Sequence, residues 1–578
     1  MLALEKAHLK QGICLDLSRE EFLDYSSIAS LIKNTSFLET LLLPKIKNEK
    51  VEEILSILNE ATIENTTLTN IRFNSFPLEH LSNEAALIYK KIQSRLARNK
   101  KRVFAIHGGG YIGLGLMADI ISQSPFEYNI VATSSDKFIN LLINCNHQFR
   151  IQHDASKESQ TTCVNNVTMV YSRNHKNIHD LYIQSNIMAI CLTEEGLLQS
   201  ANIIAQGLIA RYETDQAGLK IFILMNKPDC ADFTRHVVYT AMLEQTNNPE
   251  YCEKVLKSIH FLPSMVDRIV NKIDTEILLQ QLKSQLRKNY LHSNHAKPLQ
   301  LFDVKKSINQ QVNEIFSSPK KLLKAVKQFG LQINLFNAEL SFVLYVPDGV
   351  PEVSRFPAIK AVKNLDQYIF LKNKFINGPH AILAWLGGLM GYQTVAAASR
   401  DPMILHFIQG MMKHEIAPIL RAEYPEIKNS QLEFLKSTFF KHCRNIKDDP
   451  IIRVGRDPLR KLIRGGCIMG IIELYQKHKM TMPLLGLKRG IASGILYAVK
   501  AIDPSNSEGK ILKEIFDKSQ DYTDLLCYHG AYGNGNYPGM DKKQDHLLIQ
   551  GILHQIKLLD KLTNENYQSP LRNRSSGN

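Results

Sequence analysis

The sequence predicts an α/β protein in which a doubly wound parallel sheet is followed by a mostly α-helical domain. Two observations predict it. Short apolar runs alternate with amphipathic segments from VFAIH (103–107) through NIVATS (129–134), VTMVYS (167–172), IMAICLT (187–193) and KIFILMN (220–226). Strands that alternate with helices in this way form parallel sheets covered on both faces. Beyond about residue 270 the strand signals thin out, apart from LSFVLYVP (340–347), and helical periodicity dominates to about residue 560.

The elements group into segments. Residues 1–95 form a helical N-terminal extension, with a capping-box pattern at Ser18 and Glu21 and apolar residues at three and four spacing through LETLLLPKIKNEKVEEILSILNEA. Residues 101–270 carry the strand–helix alternation, 271–340 read as a basic helical insertion, 341–562 as the mostly helical domain, and 563–578 as a flexible tail. Within the helical domain the apolar stretch 381–398 contains Gly387, Gly388, Gly391, Gln393 and Thr394. It reads as a buried helix, because a bilayer span needs about 20 mostly apolar residues.

At 578 residues the chain exceeds what one core holds, and 44% apolar with 22% charged residues excludes the disordered and coiled-coil classes. The formal charge of +14 suits an anionic partner without naming one. The densest basic run, Lys90, Lys91, Arg95, Arg98, Lys100, Lys101 and Arg102, reads as a solvated helix face and not as a nucleic-acid site. Nine cysteines without CxxC or zinc spacing read as reduced residues, and MLALEKAHLKQ has no signal-peptide pattern, so a cytoplasmic protein is expected.

The most informative local motif follows the first strand. In HGGGYIGLG, Gly108, Gly110 and Gly113 have the G-x-G-x-x-G spacing, with Tyr111 and Ile112 between the last two and Gly115 beyond. Between a strand and a helix this is the dinucleotide fingerprint of a Rossmann-type domain: the turn is tight, and the backbone must approach a pyrophosphate. About 20 residues on, NAD-binding folds place an acid for the ribose 2′-hydroxyl. This chain has Thr133, Ser134 and Ser135 there, with Asp136 late and Lys137 close by, so NADP competes with NAD as the cofactor.

A second motif lies in QYIFLKNKFINGPHAILAW, where Lys372, Asn377 and His380 stand in a K-x4-N-x2-H pattern. Removing hydride from a secondary alcohol requires a base for the hydroxyl proton, and a lysine whose pKa is lowered by burial can serve. Lys372 is the candidate base, and Asn377 and His380 are candidate hydrogen-bond donors to the developing alkoxide. Pro379 should begin or kink a helix there, with Asn377 as a plausible cap. Downstream, RVGRDPLRK places Arg453, Arg456, Arg460 and Lys461 within nine residues, a density suited to phosphate. Arg456 and Arg460 have the alternative of pairing with Asp457.

The glycine motif, the K-x4-N-x2-H pattern, MVDRIV (265–270) and RVGRDPLRKL (453–462) occur in the order found in the long-chain mannitol and polyol dehydrogenases, and the chain resembles that family from about residue 101 to the C-terminal region. The resemblance implies interconversion of mannitol 1-phosphate and fructose 6-phosphate with NAD and without a catalytic metal. It further implies substrate contacts at Asn226, Asp267, Arg453 and Lys461. A turn cap competes for Asn226, and an ion pair with Arg268 competes for Asp267. A monomer binding a sugar phosphate and a dinucleotide, with no nucleic acid and no transmembrane segment, is expected.

The pattern is also broken in places. Ile369 and Phe370 stand where the family carries an acid before the lysine, and CLTEEGLL, with Glu194 and Glu195, replaces a small glycine-containing loop near the cofactor. These departures leave two alternatives: a dehydrogenase of an unphosphorylated hexitol or sugar acid, and a cofactor-binding protein on a catalytically decayed scaffold.

Overall fold

The computed structural model describes the chain except for residues 1–12, 21–22, 77–80, 155–159, 215–217, 226, 228, 267, 269, 293–306, 341, 446–448, 503–505, 533–534 and 568–578. The chain divides into two compact units, Met1–Leu365 and Asp366–Asn578.

The first unit opens with three parallel strands, β1 (Ile13–Asp16), β2 (Leu38–Leu43) and β3 (Asn70–Phe73), alternating with helices Tyr25–Asn34, Val51–Thr62 and Asn83–Lys101. The strands depart from the purely helical extension read in the sequence. Leu38, Leu41 and Leu42 lie at three and four spacing, which imitates a helix face, yet Leu38, Leu41 and Leu43 are the residues buried beneath the sheet. Of the capping-box pair, Glu21 lies outside the described residues. Ser18 lies in a turn, its N–H donating to Asp16 at 2.9 Å, and the first helix starts at Tyr25 with Asp24 as its cap.

The module is repetitive. L-x-x-L-x-L at 38–43 returns as L-x-x-I-x-F at 68–73, and the sheet pairs Leu41 with Ile71 and Leu43 with Phe73. Each copy of the pattern is a strand followed by a helix. Asn65 stitches neighbouring repeats: its amide donates to Ile32 O at 2.8 Å and its carbonyl accepts from Leu68 N at 2.7 Å.

The basic run before the next strand is only partly solvated. Lys90, Lys100 and Lys101 are exposed, whereas Arg95 and Arg98 are buried, Arg95 donating to Asn59 O at 3.0 Å and Arg98 to Asn65 O at 3.4 Å. Periodicity could not separate the two sets, because the helix Asn83–Lys101 is covered on more than one side.

The next strands are β4 (Val103–His107), β5 (Asn129–Ser134), β6 (Phe149–Asp154), β7 (Gln160–Val164), β8 (Val167–Tyr171), β9 (Ile187–Ile190), β10 (Leu219–Ile223) and β11 (Ile259–Pro263). Six of them form one parallel sheet in the order β11-β10-β9-β4-β5-β8. This is the doubly wound order of a Rossmann domain, whose ligand crevice opens where the winding reverses, here between β4 and β9. All residues of β4 and β9 are buried, as strands covered on both faces require.

The N-terminal module joins this sheet at the amino ends of its strands. Asn99 donates to Leu68 O at 3.0 Å and accepts from Asn186 at 2.9 Å, and Asn186 accepts from Val103 N at 2.8 Å. Glu64 pairs with His260 at 3.3 Å. The carboxyl ends, where the glycine turn lies, are the opposite edge.

Five further strands complete the first unit: β12 (Met265–Val266), β13 (Val270–Lys272), β14 (Asn334–Glu339), β15 (Leu344–Pro347) and β16 (Ile359–Val362). They build the small sheets β13-β14-β6-β7 and β12-β15-β16. The helices Thr275–His292, Ile308–Phe316 and Pro319–Phe329 of the basic insertion bury Leu278, Leu282, Leu286, Val312, Leu322 and Val326 in the same core as β4, β5 and β8. The insertion is therefore part of the unit's own hydrophobic core, while Lys320, Lys321, Lys324 and Lys327 face solvent.

The second unit is built mainly of helices around one core. A helical run from Leu365 to Leu389 contributes to this core, and the stretch 381–398, read as one buried helix, is broken: Gly378–Leu389 is helical with Trp385 fully buried, and after Gly391 at φ +82 a second helix, Val395–Arg400, begins. Gly490 and Gly494 of the helix Leu485–Lys500 allow it to approach, since a Cβ on them would lie 2.4 Å from Ile382 and 2.7 Å from Trp385. Among the described residues no helix is long and apolar enough to cross a membrane.

One ion pair ties the first unit together at depth. Asp119 and Arg268, both without side-chain exposure, meet at 2.7 Å, and Arg268 also donates to Glu339 O at 3.0 Å and Gly115 O at 3.3 Å. Removing one partner of such a pair strands a buried charge, at about 3–5 kcal/mol. Arg268→Met should lower the denaturant midpoint accordingly, and Arg268→Met with Asp119→Leu should recover most of the loss. A single variant as stable as the parent would contradict this.

Candidate active site

The glycine turn follows β4 directly, and close approach dictates its residues. Gly108 has φ +106, and a Cβ there would lie 2.4 Å from the carbonyl oxygen of Cys191, which follows β9. A Cβ on Gly113 would lie 2.0 Å from Gly108 O, and one on Gly115 2.3 Å from Val270. At Gly110, by contrast, a Cβ would meet nothing within 4 Å. Three glycines are thus required by the protein's own packing, and Gly110 leaves the open side of the cradle that a pyrophosphate needs. Tyr111 is exposed and Ile112 half-buried against the core. The turn continues into a widened π-type turn, Gly113–Met117, and then the helix Ala118–Ser122.

Thr133, read as the residue facing the ribose, points inward. It is 1% exposed, and its hydroxyl accepts from Gly108 N at 3.0 Å while its carbonyl accepts from Gly109 N at 2.6 Å. It fastens the glycine turn to the end of β5. Glu194 and Glu195 begin the helix Glu194–Glu213, capped by Thr193, and Glu194 pairs with Lys227 at 3.1 Å. Carboxylates in a first turn suit the helix dipole, which explains why this loop carries them. Asn226 and Asp267 lie outside the described residues. Arg268, the competing partner considered for Asp267, pairs with Asp119.

In the second unit the K-x4-N-x2-H motif lies in the middle of the helical run Leu365–Leu389. The run is helical as far as Leu371, widens into a π-type turn over Lys372–Asn377, and resumes at Gly378. Pro379 supplies the cause. Inside a helix it lacks the N–H for its turn, and its ring presses on the carbonyl four residues back, so the preceding turn opens. The same pairing recurs at Met412–Ile416, a π-type turn followed by Pro418. In a regular α-helix positions five apart stand about 140° out of line. A π-type turn closes its hydrogen bonds between residues five apart and so brings Asn377 back over Lys372, with His380 one α-turn further.

Lys372, Asn377 and His380 are all half-buried. Asn377 has helical φ and ψ and makes no cap hydrogen bond, so its carboxamide is not a helix cap, in contrast to the expectation. The His380 ring meets Phe439 edge-on at 5.8 Å. A Cβ on Gly378 would lie 2.7 Å from Cys467 O, which fixes the motif against the loop 465–468.

That contact is reinforced by Lys374, which the motif reading missed. It is buried, its ammonium donates to the carbonyls of Gly465, at 2.5 Å, and Gly466, and burial lowers its pKa. The signal was a second lysine directly before the apolar pair Phe375 and Ile376 in KNKFING, since lysine is rarely buried without partners.

The cationic block folds into two short helices, Ile451–Gly455 and Pro458–Leu462, joined through Asp457 in the left-handed region at φ +61. Arg453 grips the buried carboxylate of Asp449 with both arms, at 2.6 and 2.7 Å. Its side chain remains 38% exposed, so part of the guanidinium faces solvent. Arg456 and Arg460 converge on Asp457 at 3.4 and 3.1 Å, the alternative held open for both. Lys461 donates to Val454 O and, at 2.7 Å, to Arg456 O, above the Trp385 ring. Burial, with Arg460 nearby, brings its pKa down to about 8.

Comparison with known proteins agrees with this arrangement of parts. The Mannitol dehydrogenase Rossmann domain matches residues 102–301 and the Mannitol dehydrogenase C-terminal domain matches residues 364–521. A mannitol-1-phosphate 5-dehydrogenase of Buchnera aphidicola is 24% identical over 392 residues, covering 68% of this chain and 85% of that protein. One from Aspergillus clavatus is 23% identical over 381 residues, covering 66% and 82%. Among solved structures, Pseudomonas fluorescens mannitol 2-dehydrogenase in ternary complex with NAD and D-mannitol superposes with a TM-score of 0.59 at 14% identity, covering 81% of this chain and 93% of that one. A substrate-free D-sorbitol dehydrogenase gives 0.55 at 15% identity, covering 80% and 94%. With a profile matched on each of the two units, the chain belongs to the mannitol dehydrogenase family.

Proposed function

We propose that the protein is a nicotinamide-dinucleotide-dependent polyol-phosphate dehydrogenase interconverting mannitol 1-phosphate and fructose 6-phosphate. The observation that carries this reading is the widened turn Lys372–Asn377, which holds the lysine and the asparagine of the motif, with His380 in the helix that follows, in the same unit as the cation-rich block Arg453–Lys461.

A bound nicotinamide supplies the acceptor or donor of the hydride. The protein's own residues handle the proton and the oxygen. In the oxidising direction the neutral amine of Lys372 takes the hydroxyl proton, while Asn377 and His380 donate hydrogen bonds to the oxygen as negative charge gathers on it. In the reducing direction the Lys372 ammonium returns the proton. Arg453 and Lys461 hold the far end of the substrate, and Asn226 and Asp267 are further contacts in this reading, which also takes the enzyme as a cytoplasmic monomer.

A second reading, a dehydrogenase of a free hexitol, draws on one observation. Arg453 is gripped by Asp449, and Arg456 and Arg460 by Asp457, so the block's charge is partly balanced before any phosphate arrives. Comparing rates on fructose 6-phosphate and fructose separates the two readings.

Reduction of fructose 6-phosphate, followed by the absorbance of NADH or NADPH, tests the proposal directly; no turnover with either cofactor at high enzyme concentration would sink it. Lys372→Ala should lower kcat by about 10²–10⁴, the usual range for loss of a general base. With burial bringing its pKa down to about 8, Lys461 should lose its charge as the pH rises through that region. The KM for fructose 6-phosphate should therefore rise as pH passes 8, whereas Lys461→Arg, whose guanidinium stays charged, should flatten that rise. A KM with the same pH profile in both proteins would remove Lys461 from substrate binding.

A further inference from the structure

The end of β5 is where a doubly wound dinucleotide site distinguishes its two cofactors. A carboxylate there accepts from the ribose 2′-hydroxyl of NAD(H) and repels a 2′-phosphate, whereas a cation there favours NADP(H). In this chain every group that could act as the carboxylate is absent or engaged. Thr133 is turned inward onto Gly108 N. The Ser134 hydroxyl accepts from Asp136 N at 3.1 Å. Asp136 has both oxygens occupied: one accepts from Ile139 N at 3.0 Å, capping the helix Lys137–Asn146, and the other is held by Lys272 at 3.0 Å.

Around that point Asp136 keeps 36% of its side chain exposed, and beside it stand a hydroxyl and two cations. Ser135 and Lys137 are exposed immediately after β5, and Arg173 is exposed in the turn after β8. The two turns are tied together, Ser172 N donating to Ser134 O at 3.0 Å, and the Lys137 ammonium rests 5.0 Å above the ring of Tyr171. Arg173 has no ion pair among the described residues. A guanidinium and an ammonium near a serine hydroxyl form a donor set complementary to a phosphate monoester, whereas towards a ribose hydroxyl the set offers only the neutral serine oxygen as acceptor and no carboxylate.

We propose that Ser135, Lys137 and Arg173 form a 2′-phosphate subsite, and that the protein binds NADP(H) in preference to NAD(H). This rests on the reading of the glycine turn as a dinucleotide site, but not on the identity of the sugar substrate. It replaces an acid that reads the ribose by hydrogen bonding with a cationic pair that reads the phosphate by charge.

The test is equilibrium binding by the full chain without substrate. NADPH and NADH are titrated by their fluorescence, and adenosine 2′,5′-bisphosphate and AMP compete as fragments that lack the nicotinamide. NADPH and the bisphosphate should bind more tightly than NADH and AMP by about tenfold or more, and that advantage should shrink as salt is raised. Lys137→Ala and Arg173→Ala should each reduce NADPH affinity by about tenfold and leave NADH within about twofold, and Ser135→Asp should reverse the preference. Tighter or equal binding of NADH by the parent overturns the proposal alone, as do alanine variants that weaken both cofactors equally. Binding of neither dinucleotide overturns it together with the dinucleotide reading.

Discussion

A proline placed inside a buried helix sets the geometry of the second unit. Pro379 removes one backbone donor from the run Leu365–Leu389 and forces the preceding turn to widen. Without that widening, Lys372 and Asn377 would face different sides of the helix. The widened turn needs lateral support, and it has it: Gly378 touches the carbonyl of Cys467, and Lys374 holds those of Gly465 and Gly466. The same loop follows directly on the block that carries Arg453 and Lys461, so the K-x4-N-x2-H motif and the cationic residues share one scaffold. A strained turn is stable there because surrounding packing over-determines it.

The first unit solves a different problem, that of keeping an open backbone turn rigid. Gly108, Gly113 and Gly115 are fixed by atoms of the protein itself, and the turn is buttoned to β5 through Thr133. Only Gly110 faces open space. Below the turn, Arg268 joins Gly115 O to the buried carboxylate of Asp119 and to the strand ending at Glu339. One arginine of the MVDRIV block therefore stiffens the cofactor turn from beneath, a structural duty at a position whose neighbour, Asp267, was read for chemistry.

What the sequence made legible was local, and what it hid depended on distant partners or on direction. The glycine spacing and K-x4-N-x2-H could be read because each lies within a short contiguous stretch of chain, and the strand–helix alternation because buried parallel strands are nearly continuous apolar runs. The direction of the Thr133 side chain could not be read, since the hydroxyl and its partner Gly108 N are far apart in sequence. Asp119 and Arg268 likewise meet only in the folded chain. Arg95 and Arg98 looked like a solvated face because nothing in their own helix reveals the carbonyls of Asn59 and Asn65. The strands of the N-terminal module were hidden by leucines whose spacing also fits one face of a helix. The repeat of L-x-x-L-x-L at 38–43 as L-x-x-I-x-F at 68–73 was the available signal.

That module bears on how the chain folds. Its contacts link neighbouring strand–helix units, so it forms from segments close in sequence, whereas the sheet behind it must bring β4 beside β9 across a long loop, the slower kind of closure. Synthesised first, the repeats can be in place while the rest of the sheet is still being made. Asn99 and Asn186 then give β4 and the approach to β9 a common anchor on an already ordered surface. An ordered module at the amino ends of the parallel strands leaves their carboxyl ends, where a doubly wound sheet opens its crevice, to the chain that follows.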